Sequence, residues 1–296
     1  MGNSDATVGN VKTVEVLWES FGTDEMPNVG DLVASASYKN GYIRFSIPEN
    51  FREGNAVVAA KNSKGVILWS WHIWCCEEGW QEQVYFNDAG VMMDRNLGAT
   101  SATPGHVGAL GLLYQWGRKD PFLGSSSIRE AIDAKSTGTW AINTKESSFV
   151  NLESNPMTFY TNMSQPDGSW ASIKTIYDPC PAGWRVPDGG NNGVWSRALG
   201  LSSSFNQSSL FNSTDRGMNF SGKFGSANII WYPTSGCRYN GGGTLGNVGN
   251  YGYYWSTSYH ISGMFILKID NNANVDPSTV YYQEYGHSVR CLQVID

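Results

Sequence analysis

Apolar and polar residues alternate with a period of two through the first quarter of the chain. The alternation covers residues 14–18 and 42–47, and it continues in 55–60 and 65–74, on either side of the polar segment 61–64. Because successive side chains of a strand point to opposite faces, this pattern predicts half-buried β-strands. The last two strands form a hairpin, and together the strands predict a small β-sandwich.

The second strand of that hairpin carries several aromatic residues. Trp69, Trp71 and His72 lie within six residues of one another in it. Such a stripe could act as a platform for stacking a sugar, but aromatic side chains more often fill cores and interfaces. We therefore predict that these three side chains serve in packing.

A polar, turn-rich segment at 77–90 predicts a boundary between two domains, 1–82 and 83–296. In the second domain the apolar spacing predicts a short helix at 110–117, stopped by Pro121, and a helix at 192–200 ended by a glycine. Strands are predicted at 91–98, 229–232, 253–256, 264–269 and 288–294. Residues 124–175 are rich in Ser, Thr and Asn, and they predict a long insertion without regular elements. The fold class predicted is α+β, dominated by strands and loops.

The strand predicted at 264–269 also predicts which side chains are buried. The period of two assigns Phe265, Leu267 and Ile269 to the core, and Ile266, Lys268 and Asp270 to the surface. The surface set then lies beside a loop that carries Tyr281 and Tyr282. An exposed isoleucine next to clustered tyrosines is typical of an interaction site.

Composition narrows the choice of partners. Charged residues make up 16% of the 296 residues, and the formal net charge is −6 without long runs of one sign. The chain has no basic stripe for a phosphate backbone, so nucleic acid is not predicted as a partner. No stretch reaches the roughly 20 apolar residues that span a bilayer, so no direct membrane insertion is predicted. Neutral polar residues cover much of the surface, which favours an extracellular, cell-surface location.

The first residues carry no recognisable export signal. Residues 1–5 lack a charged segment followed by an apolar one. We expect the export signal and the anchor to be encoded outside the sequence given.

The five cysteines cannot all pair with one another. In an oxidising compartment, Cys180 and Cys291 are the best couple, and their disulfide would close a loop of about 110 residues, worth about 4–5 kcal/mol. Cys75 and Cys76 are adjacent and make poor partners, because a vicinal disulfide strains the peptide between them. We predict that they and Cys237 are free. The alternative is five reduced, buried thiols.

Two segments resemble calcium sites in part. Asp270, Asn272, Asn274 and Asp276 have the spacing of a calcium loop, but valine and tyrosine stand where the loop needs glycine and a bidentate glutamate. Gln165-Pro166-Asp167 resembles the sugar-specificity triplet of calcium-dependent lectins, although an ordinary Pro-Asp-Gly turn explains it better. No metal site is predicted.

Motifs for covalent chemistry are absent or incomplete. Residues 241–246 match G-x-G-x-x-G, but no helix or βαβ unit follows to hold a dinucleotide. The chain has neither a G-x-S-x-G nucleophile elbow nor an H-E-x-x-H zinc motif. We therefore predict no catalytic residues and no cofactor, and an enzyme is the last of the function classes that we consider.

The last third of the chain has the composition of a binding surface. Eight of the 15 tyrosines lie between residues 239 and 285, among Gly, Asn and Ser. Antibody loops use this mixture, because tyrosine offers a large amphipathic contact area at low entropic cost. The predicted ligand-binding residues are Tyr239, Asn240, Tyr251, Tyr253, Tyr259, His260, Ile261, Ile266, Lys268, Thr279, Val280, Tyr281, Tyr282, Tyr285 and His287.

Five motifs in the second domain carry a family resemblance. They are MDRNLG at 93–98, GLLYQWG at 111–117, DPCPAGWRVP at 178–187, YWSTS at 254–258 and GHSVRC at 286–291. In combination they resemble the Fibrobacter succinogenes major paralogous domain. The turn at 184–187 and the helix that follows are also similar to those of formylglycine-generating enzymes, but the paired catalytic cysteines of those enzymes have no counterpart here.

The resemblance implies a C-type lectin-like domain behind an Ig-like β domain of fimbrillin type, on a surface or pilus protein of gut bacteria. It implies an adhesin or receptor module that binds a protein or glycan on another cell or host surface, with pilus subunits as further partners. The alternatives are a structural pilus or surface-layer subunit and a calcium-dependent glycan lectin.

The resemblance also implies a hypothesis about variation. Some members of this fold are variable proteins of diversity-generating retroelements, in which adenines of Asn codons are randomised. Most of the predicted ligand-binding residues are types that such codons reach, whereas Lys268 is not. The alternative is that these Tyr, His and Asn residues furnish ordinary turns and core.

Overall fold

A computed structural model describes residues 7–145, 152–163, 170–201, 203–207, 209–226 and 229–294. Strands account for 39% of the residues and helices for 4%, so the chain is β-rich, as predicted. The strands are β1 (Thr13–Ser20), β2 (Ser35–Lys39), β3 (Tyr42–Ser46), β4 (Gly54–Lys61), β5 (Ile67–Cys75), β6 (Glu82–Tyr85), β7 (Gly90–Met93), β8 (Leu113–Gln115), β9 (Ala141–Asn143), β10 (Thr158–Tyr160), β11 (Trp184–Arg185), β12 (Phe205–Asn206), β13 (Phe211–Asn212), β14 (Gly217–Asn219), β15 (Trp231–Pro233), β16 (Cys237–Arg238), β17 (Leu245–Gly246), β18 (Tyr251–His260), β19 (Gly263–Asp270), β20 (Asn274–Tyr281), β21 (Gly286–Ser288) and β22 (Leu292–Gln293). A 3-10 helix spans Val107–Ala109, and helix α1 spans Val194–Leu199.

We call the predicted domains 1–82 and 83–296 the first and the second unit. The first unit is built from two small sheets. Strands β1, β4 and β5 form an antiparallel sheet with β4 in the centre, and β2 pairs with β3 in a separate hairpin. The predicted β4–β5 hairpin is confirmed. Its turn is held by Asn62, whose side-chain oxygen accepts hydrogen bonds from the amides of Lys64 and Val66 at 2.9 and 3.1 Å. Because β4 is central, both of its faces are buried.

One face of β4 packs against the second unit. Val57 and Trp18 share a core with residues of the second unit such as Leu97. Polar side chains seal the same contact, since the Asn55 amide donates to the carbonyl of Gly98 at 2.8 Å. The chain leaves the first sheet at β5 and enters the next at β6, near the predicted boundary, but the two units share this packed core.

A buried ionic group also joins the units. The Lys119 ammonium donates to Ser70 Oγ at 2.5 Å and to Asp120 Oδ1 at 2.9 Å, and it lies 4.4 Å from the centre of the Trp69 ring. Burial lowers the pKa of Lys119, and the Asp120 carboxylate opposes that shift. Ser70 and Trp69 belong to β5, so the aromatic stripe of that strand contributes to the contact between units, which agrees with the predicted packing role.

Replacing Asp120 by asparagine should lower the free energy of unfolding by about 2–3 kcal/mol, because the buried ammonium of Lys119 loses its countercharge. Urea unfolding followed by fluorescence measures this loss. Asp24→Asn, a matched change at an exposed carboxylate, should leave the stability within about 0.5 kcal/mol of the wild type. Equal midpoints for the two variants would show that the ionic group adds nothing to the contact.

The second unit is organised around an eight-stranded sheet. Its order is β12-β20-β19-β18-β21-β16-β17, and β8 pairs with β21. A smaller sheet, β11-β22-β7-β6, and a three-stranded sheet, β13-β14-β15, pack around it. In the middle of the large sheet, Trp255 pairs with Ile266, which pairs with Thr279 on β20.

Other residues pack against both faces of this large sheet. This contradicts the prediction that one face of β19 meets solvent. Core A lies on one face and contains Tyr253, Trp255 and Ile266, whereas core B lies on the other and contains Tyr254 and Leu267. The prediction for Leu267 and Ile269 is confirmed, and Phe265 is partly buried. The prediction that Ile266 and Asp270 point to solvent is wrong, since they are 0% and 7% exposed, and Lys268 is half-buried. An alternating pattern locates one buried face only when the other face meets water.

The two helix predictions have different outcomes. The helix predicted at 192–200 is confirmed by α1, which ends at Gly200 with φ +67° and an N–H bonded to Arg197 O at 3.1 Å. The helix predicted at 110–117 is wrong. There Gly111 adopts φ +70°, which ends the preceding 3-10 turn, and β8 then pairs with the distant β21.

The predicted strands of the second unit are present with shifted bounds. The segment 288–294 contains two short strands, β21 and β22, instead of one. Within 124–175, the described residues are mostly irregular, as predicted, apart from β9 and β10, which pair in parallel.

The predicted disulfide between Cys180 and Cys291 is present, with Cα atoms 5.9 Å apart, and Cys75, Cys76 and Cys237 are free. Asp178 fixes the turn next to the bond, because its carboxylate accepts from the amides of Cys180 and Val186 at 2.9 and 2.8 Å. The two cysteines are buried, and they lie near opposite ends of the C-terminal half of the second unit's sequence. The bond therefore fastens the first and last parts of its C-terminal half together.

Candidate ligand-binding face

A set of tyrosine rings meets around one buried histidine on the core A side of the large sheet. We call this set the tyrosine cluster, and it consists of Tyr239, Tyr251, Tyr253, Tyr281, Tyr285 and His287. Strand β18 supplies two of the rings, β20 ends at a third, and β21 supplies the histidine. Residues far apart in the sequence thus form one surface because β20, β19, β18 and β21 are neighbours in the sheet.

His287 lies at the centre of the cluster and is fully buried. Its ring centre is 4.9 Å from that of Tyr253, 5.2 Å from that of Tyr281 and 5.5 Å from that of Tyr285. Nδ1 lies 3.1 Å from the Gly286 carbonyl oxygen, which can only accept, so Nδ1 carries the proton. Nε2 has no partner among the described residues. Burial lowers the pKa of His287 to about 3, so the ring is neutral at pH 7.

The tyrosine rings continue outward from this centre. Tyr251 stacks on Tyr253 at 5.7 Å, and Tyr239 meets Tyr285 edge-on at 6.4 Å. The Lys268 ammonium lies 5.2 Å from the centre of the Tyr251 ring, within the range of a cation–π contact. The side chains of Tyr251, Tyr281 and Tyr285 are half-buried and that of Tyr239 is exposed, so part of each of these side chains meets solvent.

The tyrosine hydroxyls and the cysteine thiol of this face are uncharged and therefore poor nucleophiles at pH 7. Burial raises the pKa of Tyr253, Tyr281 and Tyr285 above that of a free phenol, so these hydroxyls keep their protons at pH 7. Cys237 lies beneath the cluster, and burial raises the pKa of its thiol to about 12. The face therefore offers stacking surfaces, hydrogen-bonding hydroxyls and the Lys268 charge.

A second group of exposed side chains lies at the tip of the β18–β19 hairpin and beside it. We call this group the hairpin tip: Tyr259, His260, Ile261 and Tyr282. Tyr259, Ile261 and Tyr282 are 54%, 87% and 61% exposed. Tyr259 pairs with Met264, which pairs with Tyr281, so Tyr259 points to the same face as the tyrosine cluster. His260 points to the opposite face, where its ring meets Phe265 at 5.4 Å.

Several predicted ligand-binding residues cannot contact a ligand in this arrangement. Tyr253, Ile266 and His287 are 2%, 0% and 0% exposed, because core A covers them. They support the face from below. Val280 pairs with Phe265 on the opposite face of β20, and Thr279 is half-buried beside Ile266. Asn240 is half-buried in the turn after Tyr239.

Asn247 supports the cluster and was not among the predicted residues. Its side-chain amide donates to the Tyr253 hydroxyl at 3.0 Å, while its backbone carbonyl accepts from the backbone N–H of Tyr251 at 3.0 Å. It adopts φ +62°, a conformation that asparagine tolerates better than most residues. The signal in the sequence is an asparagine two residues before a glycine, just ahead of a tyrosine-rich strand.

The segments that resemble metal and phosphate sites serve as turns. Asp270 Oδ1 accepts from the amides of Asn272 and Asn274 at 2.9 and 3.0 Å, which closes the β19–β20 turn. Residues 241–246 form the end of the turn after β16 together with β17, and strand β18 follows. Gln165-Pro166-Asp167 lies outside the described residues. Within the ranges described, no group of three or more His, Cys, Asp or Glu side chains is placed to hold a metal ion.

The described part of the chain contains no helix with the length and apolar character needed to cross a bilayer. In comparisons with known proteins, the chain matches no family model, no curated protein and no solved structure.

Proposed function

We propose that this chain is a cell-surface or pilus-tip adhesin or receptor module that binds a protein or glycan through the tyrosine cluster and the hairpin tip. In this proposal the second unit has a C-type lectin-like fold, the first is an Ig-like domain, and binding requires neither metal nor covalent chemistry. The observation that supports it best is the continuous set of partly exposed tyrosines held against a buried aromatic centre.

The geometry reduces the entropic cost of binding. The rings of Tyr251, Tyr281 and Tyr285 already touch their neighbours in the free protein, so a ligand meets side chains that have lost much of their rotamer freedom. Preorganised aromatic anchors improve affinity because less ordering is needed on association. Lys268 adds a cation at the edge of the face, which favours ligands with acidic or hydroxyl groups there.

Tyr282→Ala should weaken ligand binding by about 1–2 kcal/mol, a 5- to 30-fold rise in Kd, without lowering the melting temperature. Tyr282 is 61% exposed, so little core packing is lost. Arrayed glycans and displayed surface proteins would supply a ligand, and calorimetry would give its Kd. Tyr42→Ala, at a tyrosine 69% exposed in the first unit, is the matched control and should bind like the wild type. Equal affinities for both variants would place the site elsewhere.

The hypothesis of retroelement diversification restricts where variation can occur. Substitution at Tyr239, Tyr259, Ile261 or Tyr282 disturbs little packing, because these side chains are exposed. Substitution at His287 would disturb core A. Deep sequencing of the gene in natural populations should therefore find variation concentrated at exposed positions of this face, and an even distribution along the gene would contradict diversification.

A second candidate, a structural subunit, is favoured by the β2–β3 hairpin. Tyr38 and Phe45 lie on its apolar side and are 41% and 48% exposed, and Tyr42 on the other side is 69% exposed. Sedimentation velocity at increasing concentration distinguishes the candidates. Assembly that is abolished by Phe45→Asp would support a subunit, whereas a monomer at all concentrations would support the adhesin.

A further inference from the structure

Three asparagines of the chain are followed directly by glycine, namely Asn40, Asn192 and Asn240. In such a pair the backbone nitrogen of the glycine can attack the side-chain carbonyl carbon of the asparagine, because no Cβ shields that nitrogen. This reaction is one reason why asparagine counts among the thermolabile residues of proteins. It needs a free glycine N–H and a backbone that can bring the two atoms together, so the local structure decides which of the three pairs reacts.

The fold restrains two of these pairs. Gly193 N donates to the carbonyl of Gly190 at 3.0 Å, and Gly193 is the N-cap of α1, so the nitrogen that follows Asn192 is occupied. Asn40 adopts φ +54° in the two-residue turn of the β2–β3 hairpin. In the left-handed conformation, where ψ is about +47°, the following nitrogen lies almost opposite to Cβ and therefore far from the side-chain carbonyl. At either site the local structure must open before the reaction can occur.

The pair Asn240–Gly241 has neither restraint. It lies in the turn after β16, where the N–H groups of Gly242 and Gly243 bond to the carbonyl of Tyr239 at 3.4 and 2.8 Å. Asn240 has a negative φ. Among the described residues, neither Gly241 N nor the Asn240 side chain has a hydrogen-bond partner. Gly241 is exposed, and a Cβ built on it would meet no atom within 4 Å, so its nitrogen is open to water and base.

We propose that Asn240 is a site of spontaneous deamidation. The Gly241 nitrogen gives up its proton to water or hydroxide and attacks Asn240 Cγ, the bond from Cγ to the side-chain nitrogen breaks, and ammonia leaves. The resulting succinimide adds one water at either of its carbonyl carbons, which gives aspartate or isoaspartate. The reaction needs no enzyme, metal or oxidant, and water is the only co-reactant consumed.

This modification would change the edge of the tyrosine cluster. Tyr239, the residue before Asn240, meets Tyr285 edge-on at 6.4 Å, and a Cβ on Gly246 would lie 2.3 Å from its ring. Either product adds a negative charge next to Tyr239, and isoaspartate also adds one carbon to the backbone of the turn. The proposed binding face would thus change with the age of the protein. The reaction itself does not depend on the adhesin proposal.

Peptide mapping of the folded full chain, during incubation in mildly alkaline buffer, compares the three pairs. Trypsin separates them into the peptides 40–44, 186–197 and 239–268. The mass gain from exchange of NH2 for OH should appear first at Asn240, and at Asn192 at least about tenfold more slowly, because a hydrogen bond and a helix cap must open there. In urea these restraints are lost, and the three rates should become similar. If Asn240 of the folded chain reacts no faster than Asn192, the proposal is overturned.

Two glycine variants test the attacking atom. Gly241→Ala adds a methyl group beside the nucleophilic nitrogen and should slow deamidation of Asn240 severalfold. Gly242→Ala is the matched control, because it makes the same change one residue later, and it should leave the rate unchanged. At both positions φ is negative and a Cβ meets no atom within 4 Å, so neither variant should lower the melting temperature. Equal rates for Gly241→Ala and the wild type would show that the Gly241 nitrogen is not the nucleophile.

Discussion

Replacing both Cys180 and Cys291 by alanine is expected to lower the free energy of unfolding by about 4–5 kcal/mol. The two residues are separated by 111 positions, so the disulfide removes much conformational freedom from the unfolded chain. In the native state, the two segments that carry the cysteines stay together without the bond, because Trp184 pairs with Gln293 and Arg185 pairs with Leu292. The double variant should therefore lose stability mainly because its unfolded chain gains conformational entropy.

Urea unfolding of the double variant measures this loss, and a lower midpoint is expected. Cys76→Ala is the matched control, because Cys76 is a free thiol that is only half-buried, and it should change the stability by less than about 1 kcal/mol. Dithiothreitol should destabilise the wild type and leave the double variant unchanged. A double variant as stable as the wild type would mean that the bond does not form in solution.

The sequence predicted those parts of the fold that local rules determine. Strand β5 and helix α1 follow from apolar spacing and from a glycine that ends the helix. Strand β8 could not be predicted this way. Residues 113–115 have the apolar character of either a strand or a helix, and only pairing with β21, about 170 residues later, decides between them. Short apolar runs lack enough periods to distinguish the two.

The sequence predicts which residue types form the candidate site, but it does not predict how deeply each of them is buried. The tyrosine-rich segment 239–285 contains most of the residues of the tyrosine cluster, but the sequence does not show that core A covers Ile266 and His287. Burial at these positions depends on the packing of distant segments against the sheet.

His287→Phe is expected to make the protein less sensitive to acid. In the unfolded chain a histidine binds a proton below about pH 6.5, whereas burial lowers the folded pKa of His287 to about 3. The unfolded state therefore binds more protons between these values. The stability that the neutral ring contributes is fully present above about pH 6.5 and falls by about 4–5 kcal/mol as the pH drops toward 3.

Phenylalanine fits the aromatic surroundings of His287 and removes the unpaired Nε2, so the variant should match the wild type within about 1 kcal/mol at pH 7. At pH 4.5 it should be more stable than the wild type by about 2–3 kcal/mol. Burial also lowers the pKa of His72, to about 4, but this contribution is common to both proteins and cancels in the comparison.

Guanidinium unfolding at pH 7 and pH 4.5 measures the two differences. His260→Phe is the matched control, because it makes the same change at an exposed histidine of the hairpin tip, outside the tyrosine cluster. If His287→Phe and the wild type lose the same stability between the two pH values, His287 titrates normally and is not enclosed by the tyrosine rings. The rigid aromatic centre on which the proposed binding face rests would then be absent in solution.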